Sequence, residues 1–210
     1  KQKIILIIIC ILNVYNVCSQ TIQELKRQAE TNDPAALWNV GCAYYNGTNG
    51  VSVNYTEALK WYTLAANSGY VDAMKFVSDM YYHGQGTEEN HTYALEWAKK
   101  AAIAGDIDSQ RNTALLYYKG DGTEKNLEEA FYWQKKVAEN KQAQKEELFR
   151  FGIFFLNGIG CTQNFDEAIR WFKKAADSGY TQAYSALGDV YGYQKKYSES
   201  NKYYKMAYEK

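Results

Sequence analysis

Three glycine pairs, Gly84/Gly86, Gly120/Gly122 and Gly158/Gly160, have the spacing that most invites a chemical reading, that of loops whose backbone N–H groups cradle phosphate. None has the third glycine of a dinucleotide fingerprint, and none is followed by Gly-Lys-Ser/Thr or preceded by a strand pattern. They read instead as turns between helices. His83 and His91 are the two histidines and no cysteine pair has ligand spacing, so no structural zinc site is expected. No Ser is followed three residues later by Lys, and Lys-Thr-Gly is absent, which removes the usual serine acylation machinery. Lacking a nucleophile, base and oxyanion donor in any shared pattern, the chain reads as non-catalytic, with no cofactor, no metal and no small-molecule substrate. Its 24 basic and 24 acidic residues balance, so the surface has no net pull on polyanions and nucleic acid is not an expected partner. Glycosylation sequons occur at Asn46, Asn54 and Asn90. Two of these asparagines have a structural task, which follows from the elements around them.

Those elements repeat. Trp61, Trp97 and Trp133 recur every 36 residues and Trp171 follows 38 later, with Asn54, Asn90, Asn126 and Asn164 seven residues before each and Ala58, Ala94, Ala130 and Ala168 three before. A fixed period of this length means stacked supersecondary units. Within the second unit, Ala73, Val77, Met80 and Tyr81 fall on one helical face that Gly84 closes, and Tyr93, Ala94, Trp97 and Ala101 mark a second helix that Gly105 closes. Each unit is thus a pair of antiparallel helices. Asn54 with Glu57, Asn126 with Glu129 and Asn164 with Glu167 have capping-box spacing, whereas Asn90 has Tyr93 in place of the acid. Ser68-Gly69 and Ser178-Gly179 end helices, but Asn140-Lys141 lacks the glycine where the period lengthens to 38. A longer or distorted joint is expected over 139–144.

These residues resemble the Sel-1-like repeat, a relative of the tetratricopeptide repeat. Its pattern of Ala, Leu-Gly-x-x-Tyr-x-x-Gly-x-Gly and Ala-x-x-Trp-x-x-x-Ala-Ala is visible from Ala36 to Ala66 and, with substitutions, from Ala73 to Ala102, Ser109 to Ala138 and Glu147 to Ala176. The fold expected from the resemblance is all-α, a right-handed α-solenoid of stacked antiparallel helix pairs. Units are placed at 34–70, 71–106, 107–142, 143–180 and 181–210, the last closer to a tetratricopeptide form, with a capping helix in 20–33. Repeat proteins of this kind hold partner segments along the surface made by their first helices. Placing the tetratricopeptide groove positions on this sequence by register implies partner-binding roles for Trp38, Tyr45, Lys75, Asp79, Tyr82, Arg111, Leu115, Tyr118, Phe149, Ile153 and Leu156. Trp38, Lys75, Arg111 and Phe149 share one register position at which the residue type varies. The pattern suits an extended segment with acidic residues at one end and large apolar anchors at the other.

The function implied is a protein–protein interaction scaffold or adaptor that binds a protein or peptide on its concave face. One cysteine-rich branch of the family is associated with penicillin binding and weak β-lactamase activity, which makes a cell-envelope enzyme the first alternative, although the paired cysteines of that branch are missing here. A tetratricopeptide-like chaperone cofactor is the second.

Residues 1–19 read as a signal peptide. Lys1 and Lys3 precede the apolar run Ile4 to Leu12, and Val17, Cys18 and Ser19 lead to a cut before Gln20. The run is shorter than the roughly 20 residues a bilayer span needs. Membrane contact is therefore expected only through this leader, or through a lipid on Cys18 if the chain is a lipoprotein. The secretory route follows, with the protein secreted, periplasmic or in the endoplasmic reticulum lumen. Cys42 and Cys161, in the first and fourth units, are expected to be free thiols. N-terminal sequencing of the protein from its own host should find Gln20 first; a chain retaining Ile4 to Leu12 would contradict the cleavage.

Overall fold

The computed structural model describes residues 20–209, so the expected leader lies outside the described residues. The chain divides between Ala104 and Gly105 into two compact units. The first contains α1 (Ile22–Ala29), the pair α2 (Pro34–Asn46) and α3 (Tyr55–Asn67), and the pair α4 (Val71–Tyr82) and α5 (His91–Ile103). The second contains α6 (Ile107–Lys119) with α7 (Leu127–Glu139), α8 (Lys145–Asn157) with α9 (Phe165–Asp177), and α10 (Gln182–Tyr193) with α11 (Tyr197–Tyr208). No strand occurs among the described residues.

The asparagine before each second helix works twice. Its side chain accepts from a backbone N–H in the first turn: Glu57 N for Asn54, Tyr93 N for Asn90, Glu129 N for Asn126 and Glu167 N for Asn164. Its own backbone N–H donates to a carbonyl of the preceding first helix, that of Tyr44, Tyr81, Tyr117 or Phe155, at 2.8–2.9 Å. The expected capping boxes are therefore only half formed. Their second half needs the cap N–H, which is already satisfied, so the acids turn elsewhere: Glu57 to Lys60 at 2.6 Å, Glu129 to Trp133 Nε1 at 3.2 Å, Glu167 to Arg170 at 3.0 Å. A complete box forms instead at Thr21 and Glu24, at the start of α1.

A second rule sets how closely the paired helices approach. Gly41, Gly152 and Gly188 lie beneath the rings of Tyr62, Phe172 and Tyr204, and a Cβ on them would come within 2.4, 2.5 and 2.8 Å of ring atoms. Where the opposing residue is not aromatic, the glycine is gone: Ser78 matches Ala98, and Ala114 matches Gln134. Ring and hydrogen atom fill one volume, as close packing requires. The glycine loops obey a similar limit. Gly86 and Gly160, both at positive φ, abut the first turn of the preceding second helix, at Tyr55 and Leu127, with no room for a side chain.

Trp97, Trp133 and Trp171 are buried, while Trp61 is partly buried against the same cluster as Leu59, Tyr62 and Val77. Cationic stems cover two of these indoles, with Lys100 Nζ at 3.6 Å from the Trp97 ring and Lys174 Nζ at 4.1 Å from that of Trp171. Five residues, 140–144, join α7 to α8, whereas three, 68–70, join α3 to α4; the difference accounts for the 38-residue step. Asn140 Oδ1 accepts from Gln142 N at 2.8 Å and stabilises the turn in place of a glycine stop.

Two substitutions test this packing. Trp133→Ala should cost about 3–5 kcal/mol and Gly152→Ala about 1–3 kcal/mol, the first by cavity formation and the second by overpacking against Phe172. Urea unfolding of both variants reads the losses, and an unchanged midpoint for either would refute its assignment.

Candidate functional site

In the first compact unit, the residues implied by register are mostly engaged in packing. Trp38 is partly buried, with ring centroids 4.6 Å from Tyr62, 5.4 Å from Tyr70 and 4.9 Å from Phe76. Tyr45 packs 5.1 Å from Tyr55 and donates its hydroxyl to Gln85 Oε1 at 3.2 Å. Tyr82 stacks on His91 at 4.3 Å, Lys75 lies 3.8 Å from Asp72, and Asp79 is exposed.

In the second, Phe149 repeats the role of Trp38, lying 5.2 Å from Phe172 and 4.9 Å from Tyr180. Leu156 is partly buried against the cluster of Phe172 and Leu187. Both positions are filled from within the fold. Arg111, Leu115, Tyr118 and Ile153, by contrast, come together on a cavity of about 450 Å3 between α6 and α8, closed by Ala114, Phe154, Ile159 and, from α7, Gln134. Its walls are largely apolar, and Leu115 and Tyr118 are exposed.

One end of this groove is ionic. Glu147 is the buried charged residue among those described, with only 3% of its surface exposed. Its carboxylate accepts from Arg111 Nε at 2.6 Å, from Arg150 Nη1 at 3.2 Å and from Gln134 Nε2 at 3.2 Å. Arg111 also reaches Asp108 Oδ1 at 2.5 Å. Burial disfavours the Arg111 charge, yet its hydrogen bonds to Glu147 and Asp108 outweigh that and hold its pKa above the usual value.

Register did not point to Glu147, Gln134 or Arg150. The signal was present: Glu147 stands where other units have Ala36, Ala73, Ser109 and Ala183, and Gln134 stands where they have Tyr62, Ala98, Phe172 and Tyr204. A carboxylate in an alanine position demands partners, and the structure supplies three.

Cys42 and Cys161 are free thiols; burial pushes both above the usual thiol range, for Cys42 against the hydrogen bond from the Tyr62 hydroxyl at 3.5 Å, so neither is an activated nucleophile. No group of three or more His, Cys, Asp or Glu among the described residues could hold a metal ion, and no described helix is long and apolar enough to cross a membrane. A smaller hollow of about 250 Å3 lies against Phe131, Phe151 and Trp171, whose buried Nε1 has no hydrogen-bond partner.

The repeated helix pairs, half-capped asparagines and glycine loops define an all-helical protein of stacked Sel1-like repeats. The family model for the Sel1 repeat matches residues 34–70, 71–106, 107–141, 148–180 and 181–210, and the chain belongs to that family. It is similar to a Sel1 repeat protein from Oxalobacter formigenes, 27% identical with a TM-score of 0.73 over 89% of this chain and 54% of that one. It is also similar to c5321, a protective antigen of uropathogenic Escherichia coli with an SLR fold, 27% identical with a TM-score of 0.67 over 89% of this chain and 40% of that one. A curated relative, the ERAD-associated E3 ubiquitin-protein ligase component HRD3A of Arabidopsis thaliana, is 30% identical over 67 residues, 32% of this chain. The chain spans 10% of that relative's length and about half or less of both solved structures.

Removing a partner of the buried carboxylate should be felt in stability. Arg111→Leu leaves Glu147 with Arg150 and Gln134 alone and should cost about 1–3 kcal/mol in urea unfolding; no change would mean that Arg111 does not support the buried charge.

Proposed function

We propose that this chain is a non-catalytic interaction scaffold that receives a segment of a partner protein in the groove between α6 and α8. Repeat proteins of this family typically mediate protein interactions. The observation that carries the reading to a place is the cavity of about 450 Å3 with an apolar body and two arginines at one end. Its size falls within the roughly 300–1,000 Å3 of pockets that bury ligand groups. Leu115 and Tyr118 are large hydrophobic residues left exposed beside it, as an unfilled binding surface would be. The raised pKa values of both thiols add no support to catalysis.

The same reading places the protein in the secretory route, as a secreted, periplasmic or lumenal scaffold. The short basic and apolar segment before Gln20 supports this.

Photo-crosslinking in the host tests the scaffold. A benzoylphenylalanine at Leu115 should capture a partner protein, and one at Leu64, exposed on α3, should not capture the same species. Absence of any protein adduct at Leu115, in cells where the scaffold is folded, would refute the reading.

A further inference from the structure

We propose that the α6–α8 groove selects a partner segment in extended conformation with an acidic side chain two residues away from a large aliphatic or aromatic one. The inference rests on the scaffold reading above and adds the chemistry of what is bound.

The first observation is the cost of the ionic end. A carboxylate buried with arginines is weak evidence for stability, since packed apolar residues of similar volume do as well or better. The fold itself shows the simpler solution, because Ala36, Ala73 and Ala183 fill the position of Glu147 in other units. Here the network instead fixes two guanidinium groups at the groove. Arg111 spends Nε on Glu147 and Nη1 on Asp108, and Arg150 spends Nη1 on Glu147. In these bonds Nη2 of both, and Nε of Arg150, are not used. Two positive side chains share one buried carboxylate, and Asp108, the other acid, is exposed at the rim, where water weakens its field. An incoming carboxylate finds pre-positioned donors in the planar geometry that suits it.

The second observation is distance. Arg111 meets Glu147 near the start of both helices, and Tyr118 lies 6.2 Å from Phe154 near their ends, so α6 and α8 run in the same direction along the groove. Leu115 follows Arg111 by four residues and Phe154 follows Arg150 by four, an advance of about 6 Å on each helix. In an extended segment, side chains on one face recur every second residue, about 6.6 Å apart. An acid at the arginines therefore places its neighbour two residues away over Leu115, Ile153 and Phe154. A C-terminal carboxylate fits less well when the apolar residue is the terminal one, because both groups then branch from one Cα and cannot span that interval.

The test uses the full mature chain with capped octapeptides of Ser and Gly containing Glu-Ala-Leu, Gln-Ala-Leu or Glu-Leu, and an uncapped one ending in Leu, followed by NMR of the Leu and Ile methyls and the arginine Nε–H. The expected result is saturable shifts at Leu115, Ile153 and Arg111 with the Glu-Ala-Leu peptide, weakened about tenfold or more on changing its Glu to Gln and weakened again by removing the spacer. Equal binding of the Gln peptide, no saturable shifts at these residues, or tighter binding of the uncapped peptide would each overturn the proposal. Glu147→Ala, which installs the residue used by other units, should remain folded by thermal unfolding and lose the preference for Glu over Gln; a preference kept in full would show that Glu147 does not position the arginines. Arg150→Gln, at a half-exposed residue, gives a second variant and should lose the same preference. If Leu115 captures a partner but the peptides show no preference, the scaffold stands and this chemistry falls, whereas failure of both removes the groove.

Discussion

The hydrogen bond from each cap asparagine's backbone N–H to a carbonyl of the preceding helix is the constraint on which the repeat depends. Asn54, Asn90, Asn126 and Asn164 start the second helix with their side chains while their main chains tie it to the first. One residue thus sets both where the helix begins and how far along its partner it begins. With that offset fixed, residues seven positions into the first helix always meet the same position of the second. The pairing of Gly41 with Tyr62, Gly152 with Phe172 and Ser78 with Ala98 is possible only because the offset does not change from unit to unit.

Much of this was legible in the residues. Helix pairs, their order and the irregular joint after α7 follow from the period, the caps and the missing glycine, because each is a local signal with a local cause. The reciprocal capping boxes that spacing predicts do not form, for an equally physical reason. Spacing alone shows that Glu57, Glu129 and Glu167 can reach back to the cap, but not that the cap N–H already has a carbonyl partner in another helix.

The candidate site divides along the same line. Register could place Arg111, Leu115, Tyr118 and Ile153 on one surface, since they share a face of first helices. It could not separate them from Trp38 and Phe149, which occupy the Arg111 position and are consumed by packing on Tyr62 and Tyr70 or on Phe172 and Tyr180. Whether a side chain at that position is free depends on the ring opposite it. Tyr62 and Phe172 invite an aromatic neighbour, whereas Gln134 offers an amide and leaves the arginine to be held by Glu147. Glu147 itself was visible as an acid in an alanine column, a departure whose meaning needed the neighbouring helices.

Repeat arrays grow by copying units, and copying requires that any unit fit against any other. The contact between α6, α7 and α8 has given up that interchangeability. A copy of the second unit in place of the third would present Ala98 and Lys75 where Gln134 and Arg111 now meet Glu147, leaving the carboxylate with a methyl group on one side and a point charge without a planar fork on the other. A copy of the fourth unit inserted after itself would bring a second buried acid against Phe149 and Phe172. Neither the third nor the fourth unit therefore accepts a copy of another unit at this junction without leaving a buried carboxylate short of partners, so on folding grounds the two are matched to each other.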